Sequence, residues 1–257
     1  MLIDVHAHLN DPKLLPQREE IVSNMERDNL ADIVTVGYDR PSSIDAYEFA
    51  LKNEKVYSVV GIHPHDADKA TNEDYDLFAK MSESEKTVAI GEIGLDYYYD
   101  LSPRETQRRV FVEQLELAYS LKMPVVIHLR DAYGDLTQIL KENARTLYYG
   151  VLIHCYSGSK ELVKELNKYD AYYSFGGAIT FKNATEKPAV VRSVPIERLL
   201  TETDCPYMTP VPYRGMTNEP KYVDLVAAKL SEILDLPKEK IEEITLNNAK
   251  RFFKKIK

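Results

Sequence analysis

Long apolar runs and cysteines are both scarce in this sequence, and each absence excludes a class of protein. Its 257 residues contain no stretch of about eighteen consecutive apolar residues, the minimum for a transmembrane helix. Only Cys155 and Cys205 are present, which excludes a disulfide-stapled secreted fold. The opening residues, MLIDVHAHLNDPK, lack the basic segment and apolar core of a secretory signal. We therefore expect a cytoplasmic protein without a membrane segment.

Positive charge is also in short supply. Lysine and arginine number 33 against 41 aspartates and glutamates, which gives a formal net charge of −8. A basic surface that wraps nucleic acid is therefore not the default interpretation. A nuclease is not excluded, because carboxylates that hold metal ions count as negative here, yet together with their cations they attract phosphate.

The chain alternates short β-rich runs with longer helical patterns. Neither a G-x-G-x-x-G fingerprint nor a P-loop is present, which weakens the case for a doubly wound open sheet. The predicted strands are mostly apolar and β-branched, as expected of strands buried on both faces. Eight are predicted, over residues 2–6, 32–36, 56–61, 87–92, 124–128, 150–154, 171–175 and 198–203.

Amphipathic segments separate these strands. The clearest helical patterns cover residues 102–122 and 219–235, and residues 237–257 are expected to add one or two outer helices. Eight strand–helix units in 257 residues predict an α/β fold of the (β/α)8 TIM-barrel type, with the doubly wound sheet as the alternative. No linker or low-complexity tract interrupts the chain, so residues 1–257 are predicted to form a single domain.

All the histidines occur at or just after predicted strand ends. In a barrel, the carboxyl ends of the strands converge on one face, and this face carries the active site. His6 and His8 lie two residues apart on one strand and therefore point to the same side. Each histidine alone is more typical of a structural role, but their joint placement predicts a metal site. The six are His6, His8, His63, His65, His128 and His154.

Two acidic residues are expected at the same level of the barrel. Glu92 ends the fourth predicted strand in AIGEIGLDYYYD, and Asp204 ends the eighth in LLTETDCPY. Either could cap a helix or lie at a solvated strand end, but a buried carboxylate among imidazoles needs a cationic partner. Imidazole and carboxylate together suit zinc, manganese, iron or nickel, with magnesium possible where carboxylate and water dominate.

Motifs spread over the whole chain point to a family. They are VHAHLN, GIHPH, AIGEIGLDYY, PVVIHLRDA, IHCYSG, ETDCPY and RG followed by NEP, of which GEIGLDYY and ETDCPY together are the most specific. In this order they resemble the TatD family of metal-dependent deoxyribonucleases. The resemblance implies a TIM barrel of the wider amidohydrolase-like group that hydrolyses phosphodiester bonds in DNA, often as an exonuclease from the 3′ end.

The resemblance also implies two bound divalent cations, whose identity stays open among Mg²⁺, Mn²⁺ and Zn²⁺. The residues agree with hydrolysis by a two-metal-activated hydroxide, because paired cations can clamp the attacking and leaving oxygens. Asp204 is the expected catalytic base, and Glu92, ionised between two cations, is the expected bridging ligand. The implied ligands are His6, His8 and Asp204 for one ion, His128 and His154 for the other, and Glu92 for both.

Four further residues are expected to contact the substrate. His63 and His65 match a pair that lines the family's pocket near the scissile phosphate. Arg130 follows His128 by two residues and can share its inward face, whereas Arg214 lies on the loop after the last strand. A guanidinium at either position could bind phosphate, with a surface salt bridge as the alternative.

One motif departs from the family pattern. The family often reads RGKRNEP, and this chain reads RGMTNEP, so Met216 and Thr217 replace two basic residues beside the substrate. Together with the acidic net charge, this favours short or single-stranded DNA ends over tight duplex binding. The aromatic run from Tyr97 to Tyr99 could stack bases there, or simply pack the loop.

Two other functions compete with the nuclease. The first is another metal-dependent hydrolase of the amidohydrolase-like group, acting on an amide, ester or lactone. Relatives of that kind commonly bridge their metals with a carboxylated lysine where this chain has Glu92, which favours the nuclease. The second is a non-catalytic binding protein, whose signature would be lost ligands, and none of the implied ligands is missing. No obligate protein partner is inferred.

Overall fold

The computed structural model describes residues 1–257 and contains eight strands, as the sequence predicts. Most strand bounds agree with the prediction within two residues, but the fourth strand continues well beyond Glu92. The strands are β1 (Leu2–Ala7), β2 (Leu30–Val36), β3 (Val56–Val60), β4 (Thr87–Asp96), β5 (Val125–Arg130), β6 (Val151–Ile153), β7 (Tyr172–Phe175) and β8 (Leu199–Thr201).

Helices connect successive strands, and two helices follow the last strand. None of them is both long enough and apolar enough to cross a membrane. The two clearest helical patterns are confirmed as α4 and α8, and the terminal segment forms the single helix α9. The helices are α1 (Arg18–Ser23), α2 (Arg40–Lys52), α3 (Asn72–Ser82), α4 (Arg104–Ser120), α5 (Tyr133–Glu142), α6 (Lys160–Leu166), α7 (Lys187–Ser193), α8 (Val223–Leu234) and α9 (Lys238–Phe252).

The sheet closes almost completely on itself. All neighbouring strands are parallel and follow the chain order from β1 to β8. Beyond β8, Ala7 pairs with Cys205 in an isolated parallel bridge. The Asp4 carboxylate strengthens this seam by accepting hydrogen bonds from the backbone N–H and the hydroxyl of Thr203, at 2.9 and 2.5 Å. The TIM-barrel prediction is therefore confirmed, and the open-sheet alternative is excluded.

Apolar side chains fill two regions on either side of the strands. The larger, of 51 buried residues, lies mainly between the strands and the surrounding helices. The smaller, of 15 residues, combines one side of the strands with the end of α9, where Phe252 and Phe253 pack. Its strand members include Ile3, Val34, Val59, Val126, Leu152 and Leu200. The end of the chain is therefore part of the core that supports the barrel.

Candidate metal centre

The six histidine rings lie together beyond the carboxyl ends of the strands. His6 and His128 belong to β1 and β5, while His154 directly follows β6. His65 lies in a short 3-10 helix after β3, Pro64–Lys69. Neighbouring ring centroids are 3.9 to 5.5 Å apart along a continuous series. In spatial order the rings are His8, His6, His154, His128, His63 and His65.

Glu92 lies between two groups of imidazoles and faces each with a different oxygen. Its Oε1 is 2.7 Å from both His128 Nδ1 and His154 Nε2. Its Oε2 is 3.3 Å from His6 Nε2 and 3.7 Å from His8 Nε2. The side chain is 5% exposed, so water screens its charge only weakly. Its two oxygens are therefore available to two separate cation positions.

Asp204 joins the group on the side of the first strand. Its Oδ1 is 3.5 Å from His8 Nε2 and 3.9 Å from His6 Nε2. Its backbone N–H donates to the carbonyl of His6 at 2.9 Å, and its φ of 57° turns the chain after β8. Its side chain is 15% exposed, three times the value of Glu92, so Asp204 reaches closer to solvent.

Glycines allow the fourth strand to carry Glu92 into this group. A Cβ on Gly91 would lie 2.7 Å from the carbonyl oxygen of Val126 in β5. Gly94 has a φ of 138°, and a Cβ there would lie 2.1 Å from the carbonyl oxygen of His128. The ladder with β5 also shifts register between Ile90 and Ile93. Glu92 consequently does not end β4, as the sequence suggested, but lies at an irregularity within it.

Hydrogen bonds on the far side of two rings leave their inner nitrogens free to bind a cation. His8 Nδ1 is 2.9 Å from the carbonyl oxygen of Val36, which can only accept, so Nδ1 carries the proton. His128 Nε2 is 3.0 Å from Asp96 Oδ2 and donates to it in the same way. The remaining nitrogen of each ring faces Glu92, at 2.7 Å for His128 and 3.7 Å for His8, and can ligate a metal once it carries no proton.

His63 has the opposite arrangement. Its Nδ1 accepts the backbone N–H of His65 at 3.1 Å, so the proton of the neutral ring is on Nε2. That Nε2 lies 3.5 Å from Glu92 Oε1. Burial, aided by the neighbouring His128, lowers the pKa of His63 to about 4, so the ring is neutral at neutral pH. His63 is therefore a hydrogen-bond donor in the site.

Glu202 was missed by the sequence analysis, although it lies two residues before Asp204. It is fully buried, and its Oε2 accepts the hydroxyl of Ser174 at 2.5 Å. Its Oε1 lies 3.7 Å from His154 Nδ1 and forms a compact group with His154 and His6. None of His6 Nδ1, His154 Nδ1 and Glu202 Oε1 has a hydrogen-bond partner. Glu202 is thus placed to orient both rings from behind.

Asp96 was missed as well, although it lies four residues after Glu92 on the same strand and so on the same side. Its Oδ2 receives hydrogen bonds from both His65 and His128, at 2.9 and 3.0 Å. Its Oδ1 accepts the backbone N–H groups of Tyr98 and Tyr99, at 3.0 and 2.8 Å. Burial opposes its charge, but these donors keep the pKa of Asp96 below its ordinary value. One carboxylate therefore connects the imidazoles to the tyrosine loop.

The electrostatics of the centre keep charges of opposite sign together. Burial opposes ionisation of Glu92, but His154, His63 and His6 hold its pKa well below the ordinary value. Burial likewise disfavours a charged His154, yet Glu92 and Glu202 raise its pKa well above that of a free imidazole. The cluster thus favours ionised carboxylates and needs positive charge to balance them.

The two expected substrate arginines have different surroundings. The guanidinium of Arg130 stacks over Tyr98 and Tyr99, 4.0 and 4.9 Å from their ring centroids. These two rings are 58% and 54% exposed, so they form an aromatic rim on the β4 side of the site. Arg214 instead stacks on Phe181 at 3.8 Å and donates to a carbonyl of its own loop. Only Arg130 is tied to the histidine cluster, through the tyrosines that Asp96 holds.

The donor set fits a metal ion. Imidazole nitrogens and carboxylate oxygens converge within 4.8 Å of one another in several combinations, one of which is His6, His8 and Glu92. Both ring nitrogens of His6 are buried without a hydrogen-bond partner, which is costly unless a cation coordinates one of them. Such a mixture of ligands is typical of zinc, manganese and other divalent ions.

Comparisons with known proteins agree with this geometry. Residues 3–254 of this chain match the model of a family described as "TatD related DNase". The chain is 44% identical to an uncharacterized metal-dependent hydrolase, YabD, of Bacillus subtilis, over 99% of both chains. It is 32% identical to the uncharacterized metal-dependent hydrolase YcfH of Escherichia coli, over 98% of this chain and 95% of YcfH.

A solved structure supports the same grouping. The crystal structure of YjjV, a TatD homologue from Escherichia coli, superimposes with a TM-score of 0.91 and 27% identity, covering 98% of each chain. The full-length family match, the relatives and the buried histidine–carboxylate cluster lead to one conclusion: this chain belongs to the TatD family and is a metal-dependent hydrolase.

Proposed function

We propose that this chain is a deoxyribonuclease that removes nucleotides from the 3′ ends of single-stranded or frayed DNA. The proposal rests on Glu92, whose two carboxylate oxygens face two different groups of imidazoles. This arrangement suits two cations that share one carboxylate. The family description supplies the substrate class, since it names a DNase. The aromatic rim of Tyr98 and Tyr99 suits bases that are free to stack, as those of a single strand are.

In the proposed site, His6, His8 and Asp204 would hold one ion, and His128 and His154 would hold the other. When bound, divalent ions supply the positive charge that polarises a phosphate and acidifies water. Glu92 stays ionised between the two positions, which keeps its role that of a ligand.

Three side chains, one of them the ligand Asp204, would act on the substrate or on the attacking water. The Asp204 carboxylate takes the proton of the attacking water, because it is the acid of the cluster that lies nearer solvent. The Nε2–H of His63 donates to a phosphate oxygen, since its Nδ1 is already occupied as an acceptor. Arg130, stacked on the aromatic rim, binds the next phosphate while the tyrosine rings contact bases.

The decisive experiment is metal reconstitution with labelled DNA. Metal-depleted protein should release labelled mononucleotides from a 3′-labelled single strand after addition of Mg²⁺, Mn²⁺ or Zn²⁺, and should spare a circular single strand. Glu92→Gln should lose this activity, whereas Glu232→Gln, at an exposed site on α8, should keep it. If no ion restores nucleotide release while an amide, ester or lactone is turned over, the nuclease proposal is wrong.

Strand preference is tested in the same assay. Intact plasmid duplex should be cleaved far more slowly than a short single strand, because Met216 and Thr217 leave the mouth with little basic charge. Equal rates on both substrates would contradict the proposed preference for ends without contradicting the nuclease activity.

A further inference from the structure

A cleft of about 690 Å³ lies at the end of the barrel opposite the metal centre. It is bordered by Gly150 just before β6, by Tyr172 at the start of β7 and by Arg198 just before β8, so it lies at the amino ends of these strands. The end of α4 and the end of α9 complete its walls. The metal centre uses none of its residues.

Tyrosines dominate the aromatic lining of this cleft, which we call the tyrosine cleft. Tyr119, Tyr148, Tyr149, Tyr169 and Tyr172 all contribute. The rings of Tyr148 and Tyr149 meet edge to face at 5.1 Å, and Tyr149 lies 5.8 Å from Tyr119. Tyr148 is 80% exposed, far more than a tyrosine that serves only to pack the fold. The exposed Tyr148 ring, beside the partly exposed Tyr119, Tyr149 and Tyr169, therefore offers a surface to a planar ligand, whereas Tyr172 is buried in the wall of the cleft.

The charged lining is strongly biased towards cations. Only one acid, Asp170, lines the cleft, although acids outnumber bases in the chain as a whole. The lining cations are Arg145, Lys168, Arg198, Arg251 and Lys254. A local excess of positive charge in a chain of net charge −8 marks a surface that attracts an anion.

The arrangement of these cations suits phosphate. Arg145 and Arg198 stack on Tyr119 and Tyr172, 5.3 and 4.7 Å from the ring centroids, which fixes charge beside aromatic surface. Three of the five cations already pair with carboxylates, Arg145 with Glu116, Lys168 with Glu165 and Arg198 with Asp170, but exposed pairs of this kind are weak and can exchange for phosphate. Lys254 has no ion-pair partner, and Arg251 contacts only neutral groups.

We propose that the tyrosine cleft binds a segment of single-stranded nucleic acid, with bases stacked on the tyrosines and phosphates held by the arginines and lysines. Alternating aromatic and cationic groups are the usual means of binding single strands without reading their sequence. The proposal rests on the proposed nuclease function, because it gives a long strand a second anchoring point away from the metal centre. An acidic protein segment is the competing occupant.

The test measures binding of a fluorescent, phosphorothioate-linked oligothymidylate to the metal-loaded full-length protein. Tyr148→Ala should weaken binding about fivefold or more, the lower end of the loss expected for one stacked base. Replacing Arg251 and Lys254 together with glutamine should reduce the salt dependence, log K against log salt, by about 1.4, or ~0.7 for each lost phosphate contact. The matched control replaces Lys229 and Lys240, which lie on the surfaces of α8 and α9.

Hydrolysis provides the second readout. The cleft variants should raise KM for long strands and leave turnover of a dinucleotide unchanged, because a dinucleotide reaches only the metal centre. Unchanged oligothymidylate binding in both cleft variants would overturn the proposal. Equal competition by polyglutamate of the same length would also overturn it, in favour of an acidic protein partner. Binding that depends on the cleft in a protein unable to cleave DNA would refute the nuclease proposal alone.

Discussion

The two ends of this barrel follow different physical rules. At the amino end, Phe252 and Phe253 of the α9 segment pack with apolar strand residues in one buried group. At the carboxyl end, six imidazoles surround Glu92, and buried polar atoms lack partners. Four of the six unpartnered buried atoms in the protein belong to His6, His154 and Glu202. The amino end therefore contributes apolar packing to stability, whereas the carboxyl end carries unsatisfied groups that a bound cation would balance.

Removal of one imidazole should disrupt the metal centre at the carboxyl end of the barrel and leave the amino end intact. We expect His6→Ala to lose metal and activity together, with an activity loss of roughly 10²–10³-fold, as for other groups that stabilise transition-state charge. The fold should persist, because His6 makes no side-chain hydrogen bond that the barrel needs. Metal content by atomic emission and circular dichroism provide the measurements. Normal metal content in this variant would contradict its assignment as a ligand.

Truncation of a large apolar side chain at the amino end of the barrel should lower stability and leave the metal centre intact. Phe253 is fully buried, so Phe253→Ala should lower the free energy of unfolding by about 3–5 kcal/mol. Denaturant unfolding measures this loss, and metal stoichiometry of the remaining folded protein should not change. A Phe253→Ala variant that is folded and unfolds cooperatively, but binds no metal, would show that the two ends are coupled.

Replacement of Glu202 tests whether a buried carboxylate beside the ligand imidazoles contributes to metal affinity. Glu202→Gln keeps the shape of the side chain but removes the negative charge beside His6 and His154, which Glu202 is placed to orient. We expect metal affinity to fall by roughly 10–100-fold, the usual effect of losing such a partner. Titration calorimetry on the folded variant measures it. An unchanged affinity would mean that the two rings are oriented by packing alone.

Proton release gives the smallest expected effect. Burial opposes a charged His154, but Glu92 and Glu202 raise its pKa well above that of a free imidazole, so the metal-free ring is protonated at neutral pH. Coordination requires the neutral ring, so metal binding should release at least one proton and weaken about tenfold or more per unit of falling pH. Calorimetry at pH 7 in buffers of different ionisation enthalpy counts the protons. Equal enthalpies in all buffers would contradict a protonated His154.

Much of the fold was predictable because strand and helix patterns are local. Short apolar, β-branched runs located all eight strands, and their number indicated the barrel. The end of β4 was missed, since Gly94 and the pairing of Asp96 with Arg130 extend the strand through an irregular register. Asp96 could have been found from its spacing, because it shares a strand face with Glu92. Glu202 could not, because the left-handed turn at Asp204 hides which way its neighbours point.

The sequence by itself determined which chemistry is present: imidazoles and carboxylates at strand ends, in the order typical of the TatD family. Local patterns suffice for this, because residue type and spacing are properties of the chain. Only the tertiary structure decided which nitrogen of each ring is free, since that depends on partners such as Val36 and Asp96 from other strands. It alone also brought five tyrosines and five cations from separate segments into one cleft. Contacts between distant segments exist only once the barrel has closed.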